Sequence, residues 1–328
     1  NDEYKVRDYQ DDALIEVLKH GRGICLMGTG AGKTLTMSLL IENLYNHFGK
    51  NMSAIVIVPD LGLATQTYND FKDYKLTCTY SKWTGSEDYK EGSNIIIANS
   101  ANILSKYEDN EWIKHIDFLI VDEVHKLGKS TAIDSVLNKI KTLHKFGFTG
   151  TLPTKKEDEW NVVGKFGPVV YEKSSFELRN EGYLTNVNVK AINIEYNTKP
   201  VYVKNEAPTK NYHIELDFLS CNPFRNKIIQ KICSNFNNNV LILVNHIKHG
   251  EELHNILSKI TGKKVYFVRG EVEIDDREKI KHAMEKNDNV VCIAISAIFS
   301  TGINIKNIHM VIFAAGGKSF IRTVQSIG

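Results

Sequence analysis

The sequence predicts an α/β protein built from two tandem, doubly wound parallel-sheet domains. Short apolar runs alternate with stretches of helical periodicity along the whole chain, the pattern of a parallel sheet with crossover helices. At 328 residues the chain is too long for one compact core of this kind and suits two. A glycine-rich turn, Gly28-Thr29-Gly30-Ala31-Gly32-Lys33-Thr34, follows the first apolar run, and Asp122-Glu123-Val124-His125 follows a later one.

In the first domain, strands are expected near Ile24–Met27, Ala54–Val58, Ile95–Ala98, Phe118–Val121 and Lys145–Thr149, with helices over Asp11–Lys19, Lys33–His47 and Leu63–Tyr74. The pattern breaks after Leu152. Residues 153–160 are polar and charged, a solvated loop or an exposed helix start, so 1–152 form the first domain and 153–186 a connecting segment.

The second domain, 187–328, opens with a strand at Val187–Ile194. An insertion without periodicity, Asn197–Tyr212, then carries Lys199, Lys204 and Lys210 and is expected to be a loop or a small hairpin. Helices follow at Phe224–Phe236, Lys248–Thr261 and Asp275–Glu285, interleaved with strands at Val240–Val244, Val265–Val268, Val290–Ile295 and Met310–Ala314.

Small residues in the turn at 28–32 let successive backbone N–H groups curl around phosphate oxygens, and the helix that starts at Lys33 adds positive potential. Lys33 is then placed to reach the β- and γ-phosphates of ATP, and the Thr34 hydroxyl to ligate Mg2+. The strict phosphate-loop pattern wants Gly where Met27 stands; the strand–turn–helix context carries the assignment instead. Asp122 and Glu123 sit at the tip of a strand apolar enough to be buried on both faces, where ligands of open α/β sheets bind. Asp122 is expected to hold Mg2+ through its water shell, and Glu123 to orient or deprotonate an attacking water. Alone, an Asp-Glu pair at a strand end is ordinary surface acid; the phosphate loop gives it a role.

With 41 basic against 39 acidic residues, net +2, a nucleic-acid contact must come from a local track rather than a globally cationic surface. No apolar run approaches the ~18 residues of a membrane span and no secretory signal is visible, so the chain reads as cytoplasmic. Five cysteines without a C-x-x-C pair read as reduced thiols. His246, His249 and His254 lack the H-E-x-x-H spacing and a cysteine, and read as a polar helix face rather than a zinc site.

The ordered motifs resemble those of the superfamily-two helicases and translocases over nearly the whole chain. That resemblance implies two RecA-like domains with an ATP and nucleic-acid cleft between them. Arg7-Asp8-Tyr9-Gln10 looks like the adenine-recognition segment, with the Gln10 amide pairing to the base edge and Tyr9 offering a stacking face. Pro59 with Gln66, and Ser100, look like backbone-contacting strand ends. Thr149-Gly150-Thr151 resembles the motif that couples hydrolysis to domain movement, through His125; the Val-His version of that motif leans towards DNA translocases. In the second domain the resemblance implies nucleic-acid contacts from Asn245, His246, Gly270 and Thr301, nucleotide contacts from Gly302 and Asn304, and a catalytic Gln325 opening the sixth motif. The arginines that follow in that motif are expected beyond Gly328, in a longer chain.

The segments Phe299-Ser300-Thr301-Gly302 and Lys306-Asn307-Ile308-His309 are similar to the phage DNA branch-migration helicases of the UvsW type. This implies ATP-driven remodelling of forked or Holliday-type DNA. The translocase subunit of a restriction enzyme, an RNA helicase and a non-hydrolysing ATP-dependent clamp remain alternatives at this point.

Overall fold

The computed structural model describes residues 5–59, 61–84, 87–105, 111–129, 131–198, 200–201, 208–260, 262–269, 280, 282–295 and 307–314. They fall into two compact units that divide at Val187/Asn188.

The first unit opens with α1 (Asp8–His20), whose buried residues Tyr9, Ala13, Leu14 and Val17 recur at helical spacing. It ends at Gly21, which takes the left-handed conformation that glycine adopts without a Cβ penalty. Next come β1 (Gly23–Met27), α2 (Lys33–Phe48), β2 (Ala54–Val58), α3 (Leu61–Asp73), β3 (Tyr80–Trp83), β4 (Ile95–Asn99) and α4 (Ser100–Ser105). The unit continues with β5 (Phe118–Asp122), α5 (Thr131–Lys139), β6 (His144–Thr149), α6 (Lys156–Phe166), β7 (Val169–Lys173) and α7 (Ser175–Asn180).

Its seven strands form one parallel sheet in the order β3-β4-β2-β5-β6-β1-β7. The interior strand β2 is buried at every position because helices cover both faces, which is why its sequence is an unbroken Ala-Ile-Val-Ile-Val. One face packs Met37, Leu40, Val56 and Phe71; the other packs Ile57, Trp83, Leu119 and Phe166.

The second unit contains α8 (Pro208–Ser220), α9 (Pro223–Ser234), β8 (Val240–Val244), α10 (Ile247–Leu257), β9 (Lys264–Val268), β10 (Val290–Ile295) and β11 (Met310–Phe313). These strands form a parallel sheet in the order β11-β8-β10-β9. Asn239, fully buried just before β8, ties it together. Its amide donates to the carbonyls of Met284, Asn287 and Asn307, and its oxygen accepts from Val290 N.

Three expectations need correction. Residues 153–186 are not a connector: α6 covers the first sheet, and β7 adds a strand beside β1 in the first unit. Val187–Ile194 is not a strand; Val189 is 73% exposed and Ile192 58%. Alternating apolar residues permit a strand, but a strand needs a partner, and none pairs with this segment among the described residues. The insertion at 197–212 is helical from Pro208 onward, while Lys199 and Lys204 lie outside the described residues. The cysteines Cys25, Cys78, Cys221, Cys233 and Cys292 are all free thiols. Burial pushes Cys25 and Cys292 up to about 12, which leaves them unreactive.

Limited trypsin digestion tests the division at 187/188. Lys190, exposed and outside any element, should be cut early and leave an N-terminal fragment that includes β7. Early cutting at Lys165 or Lys173, both ion-paired within the first unit, would contradict it.

Candidate active site

The turn between β1 and α2 is held from two sides. From one, Tyr9 Oη donates to Ala31 O at 3.0 Å and Gln10 Nε2 donates to the same oxygen at 3.1 Å. From the other, Ser175 Oγ donates to Thr29 O at 3.3 Å, and Gly28 N donates to Lys173 O at 2.9 Å. In a trans peptide the C=O and the following N–H point opposite ways. Fixing the oxygens of Thr29 and Ala31 outward therefore turns the N–H groups of Gly30 and Gly32 to the other side, where a phosphate cradle needs them.

Glycine is required here for two reasons. Gly30 and Gly32 have φ of 81° and 77°. A Cβ on Gly28 would run into Ser175 Oγ and lie 2.5 Å from the Ser175 amide nitrogen.

This geometry corrects the expected roles of Tyr9 and Gln10. Tyr9 is 3% exposed and offers no stacking face; Gln10 is 2% exposed, with its oxygen accepting from Arg7 N at 3.1 Å and its nitrogen on Ala31 O. Both hold the loop through Ala31 O.

The carboxyl ends of β5 and β6 lie next to this loop because β6 pairs with both β5 and β1. The position a Cβ would take on Gly150 is 3.6 Å from Lys33 Nζ and 3.6 Å from Thr29 N, so the turn after β6 lies directly against the phosphate loop. Glu123 has φ of 52°, a left-handed conformation unusual for a non-glycine residue and a form of strain that collects at functional sites. It aims the carboxylate at His125, whose Nδ1 is 3.1 Å from Glu123 Oε2 and 2.9 Å from Thr149 Oγ1. Thr149 gives its one hydroxyl proton to Thr151 O at 2.9 Å, so it must accept from His125. That places the proton of the buried imidazole on Nδ1, shared between Thr149 and Glu123. The structure thus brings together Lys33, Asp122, Glu123, His125, Thr149, Gly150 and Thr151.

The two carboxyls titrate in opposite directions. Burial, then the charge of Glu123, pushes Asp122 up to about 7, against smaller opposing pulls from Lys33 and the Glu123 N–H. Burial also pushes Glu123 up, but the His125 hydrogen bond and the Lys33 charge outweigh it and hold Glu123 at about 2. A carboxylate held that low positions a water molecule better than it takes a proton from one. Two acids buried together, with one forced up, leave the site short of positive charge. A divalent cation bound with a phosphate would supply it, and the donor set of Thr34 and Asp122 fits Mg2+.

Of the residues expected to touch nucleic acid, Pro59 and Ser100 are neighbours at the carboxyl edge of the same sheet, since Val58 pairs with Asn99; Gln66 lies on the following α3. Ser100 is 6% exposed, so little of the residue reaches the surface at this edge. In the second unit Asn245 is exposed at the end of β8. His246 follows it, with Nε2 buried and without a hydrogen bond among the described residues. His249 is a core residue, 3.1 Å from Asn226 Oδ1, and burial above all lowers it to about 4. Gly270, Thr301, Gly302, Asn304 and Gln325 lie outside the described residues.

Two family models match this chain: that of the type III restriction enzyme res subunit over residues 3–154, and the helicase conserved C-terminal domain over residues 225–328. The chain is 30% identical over 98% of its length to the ATP-dependent DNA helicase uvsW of Enterobacteria phage T4. It is similar to the superfamily-two helicases over both units. Among solved structures, the type ISP restriction-modification enzyme LlaBIII bound to DNA has a TM-score of 0.72 at 16% identity, covering 98% of this chain and 26% of that one. The RNA-bound Dbp5 of S. cerevisiae has a TM-score of 0.64 at 18% identity, covering 98% and 80%. These neighbours show the fold, two RecA-like parallel-sheet domains. The chain spans 64% of the length of the phage relative.

Sequence reasoning missed how much of this site comes from residues 153–186. Lys173 and Ser175 buttress the phosphate loop from β7 and α7, and Tyr183 packs against Tyr9. The signal was the S-x-x-E capping box at Ser174-Ser175-Phe176-Glu177, which the structure forms and which marks a helix start just after an apolar strand run.

A pH-dependent stability follows from the carboxyls. Asp122, ordinarily at 3.8, takes up a proton on folding, so without ligands its contribution falls as pH rises through about 7. Glu123 acts oppositely, adding stability above 4.5 that is lost as pH falls towards 2. Asp122→Asn in metal-free buffer should therefore raise Tm by roughly a few degrees at pH 8 and leave it unchanged at pH 4. An equal change at both pH values would contradict the assignment.

Proposed function

We propose that this chain is the ATP-driven motor of a DNA helicase or translocase that remodels branched DNA, by fork regression or branch migration. The observation that carries the hydrolytic part is the convergence of the pinned phosphate loop, Lys33, the Asp122–Glu123 pair and the His125–Thr149 link on one sheet edge. The DNA part rests on similarity to a protein named as a DNA helicase.

The N–H groups of Gly30 and Gly32, with Lys33, hold the β- and γ-phosphates. Thr34 and Asp122 would hold Mg2+, which would neutralise charge on the transferring phosphoryl group. Glu123, held ionised by His125, orients the attacking water. Because His125 also binds Thr149, a change at Glu123 during turnover reaches the turn at 149–151, which lies against the phosphate loop. Pro59, Gln66 and the loop at Asn245 and His246 meet the sugar–phosphate backbone, so binding is largely independent of sequence and weakens with salt.

A second reading, the translocase of a restriction enzyme, draws on the family model over residues 3–154. Branch-migration assays on a synthetic four-way junction separate the two. The remodelling motor resolves the junction with ATP, whereas a restriction translocase leaves it intact. Lys33→Ala should abolish resolution. Glu123→Gln should bind ATP and DNA together but turn over at least about a hundredfold more slowly. Normal turnover in either variant would overturn the site assignment.

A further inference from the structure

At the amino edge of the first sheet, opposite the edge that carries the phosphate loop, the surface opens into a groove of about 350 Å³. It lies between the last turns of α1 and α2 and the first residues of β5 and β6. A row of rings lines it: the centroids of His47–Phe48, Phe48–Phe118 and Phe118–His144 are 4.7, 5.3 and 5.4 Å apart. Leu18 and Leu44 add aliphatic surface. Phe48 is 54% exposed and Leu18 37%, and Ile15, three residues before Leu18 on α1, is 59% exposed. Residues three apart share a helix face, and apolar surface gathered in this way and rimmed by polar groups marks an interaction site.

The polar groups around the groove divide into two sets. Those at its mouth are acceptors. Both α1 and α2 end here, at Gly21 and Gly49, which brings the negative ends of their dipoles to the groove. Asn43 Nδ2 donates to Leu39 O at 2.9 Å and leaves Oδ1 as an acceptor. The flanking groups are cations. Arg22 follows Gly21, Lys50 lies just past Phe48 and Lys141 just before His144, all exposed and without an ion pair among the described residues. Arg22 donates to the carbonyls of Phe166 and Lys165, and Lys145 to those of Leu137 and Ile140, so neither meets a carboxylate there. Burial, then the charges of Arg22 and Lys165, hold Lys145 below the usual lysine value; the second cause reflects positive charge gathered along this edge. The nearby acids are engaged: Glu16 with Lys19 and His20, Asp117 with Ser53, and Asp134 with Lys165.

We infer that this groove docks an acidic peptide segment of a partner protein, with one large apolar side chain seated against Phe48 and carboxylates on Arg22, Lys50 and Lys141. A peptide satisfies both sets of groups at once. Its N–H donors suit the acceptors at the helix ends, its apolar anchor the row of rings, and acidic residues on either side of the anchor the flanking cations. A nucleic-acid strand carries a phosphate at every step and would set negative charge against two helix C-termini. A partner held at the amino edge leaves the phosphate loop open, so the groove serves recruitment of the chain and is independent of how the loop is read.

Fluorescence anisotropy with the 328-residue chain tests this. The probe is a short fluorescein-labelled peptide with phenylalanine at its centre and aspartates on both sides; two comparison peptides replace the phenylalanine by serine or the aspartates by lysines. Wild type should bind the probe at least about tenfold more tightly than either comparison. Phe48→Ser should weaken the probe about tenfold, and so should Lys50→Glu combined with Lys141→Glu. Circular dichroism checks folding, and the exposed lysine pair serves if Phe48→Ser does not fold. A wild-type chain that does not bind the probe, or binding indifferent to these changes, would overturn the inference. Phe48-dependent binding of labelled oligothymidylate in place of the peptide would overturn it too, by making the groove a nucleic-acid surface. Phe48-dependent self-association in sedimentation would instead assign the groove to a second copy of the chain and equally overturn it.

Discussion

Two carbonyl oxygens in the turn after β1, those of Thr29 and Ala31, are held from outside by side chains distant in sequence. Much of the first unit's architecture serves those contacts. The first turn of α1 buries an amide and a phenol against Ala31, and β7 extends the sheet so that Ser175 reaches Thr29. Each of these polar groups would be costly to bury without a partner. Together they leave the loop's peptide N–H groups aimed before any ligand arrives, so binding need not order the loop.

The opposite wall of the site is built on unfavourable electrostatics. Asp122 and Glu123 are adjacent acids at a strand tip, one forced up by burial and the other held down by His125. The left-handed backbone at Glu123 adds strain at the same point. A cation and a phosphate relieve the first of these, which links stability of the site to its occupancy. The shared Nδ1 proton of His125 then joins the acid pair to the turn at Thr149.

Much of this was legible in the sequence because buried parallel strands have an unmistakable composition. Ala54–Val58, Val240–Val244 and Val290–Ile295 were expected and observed with the same bounds, each a run of β-branched and apolar residues covered on both faces. β3 escaped because it is an edge strand, Tyr-Ser-Lys-Trp, whose polar positions hide the pattern. β7 escaped because the polar stretch before it resembled a domain boundary, although that stretch leads into α6, a helix whose outer face is wet. The glycine turn and the acid pair were readable because their chemistry needs particular residues at fixed spacing. The roles of Tyr9 and Gln10 were not, since an amide that can pair with a base can equally hold a backbone carbonyl, and only tertiary placement distinguishes the two.

The most direct measurement is steady-state ATP hydrolysis by the chain without nucleic acid, and with single-stranded DNA, linear duplex, a forked duplex, a four-way junction and RNA. A motor for branched DNA hydrolyses ATP fastest on the fork and the junction. Stimulation by RNA alone, or none by any polymer, would contradict that account and leave only a two-unit nucleotide-binding fold.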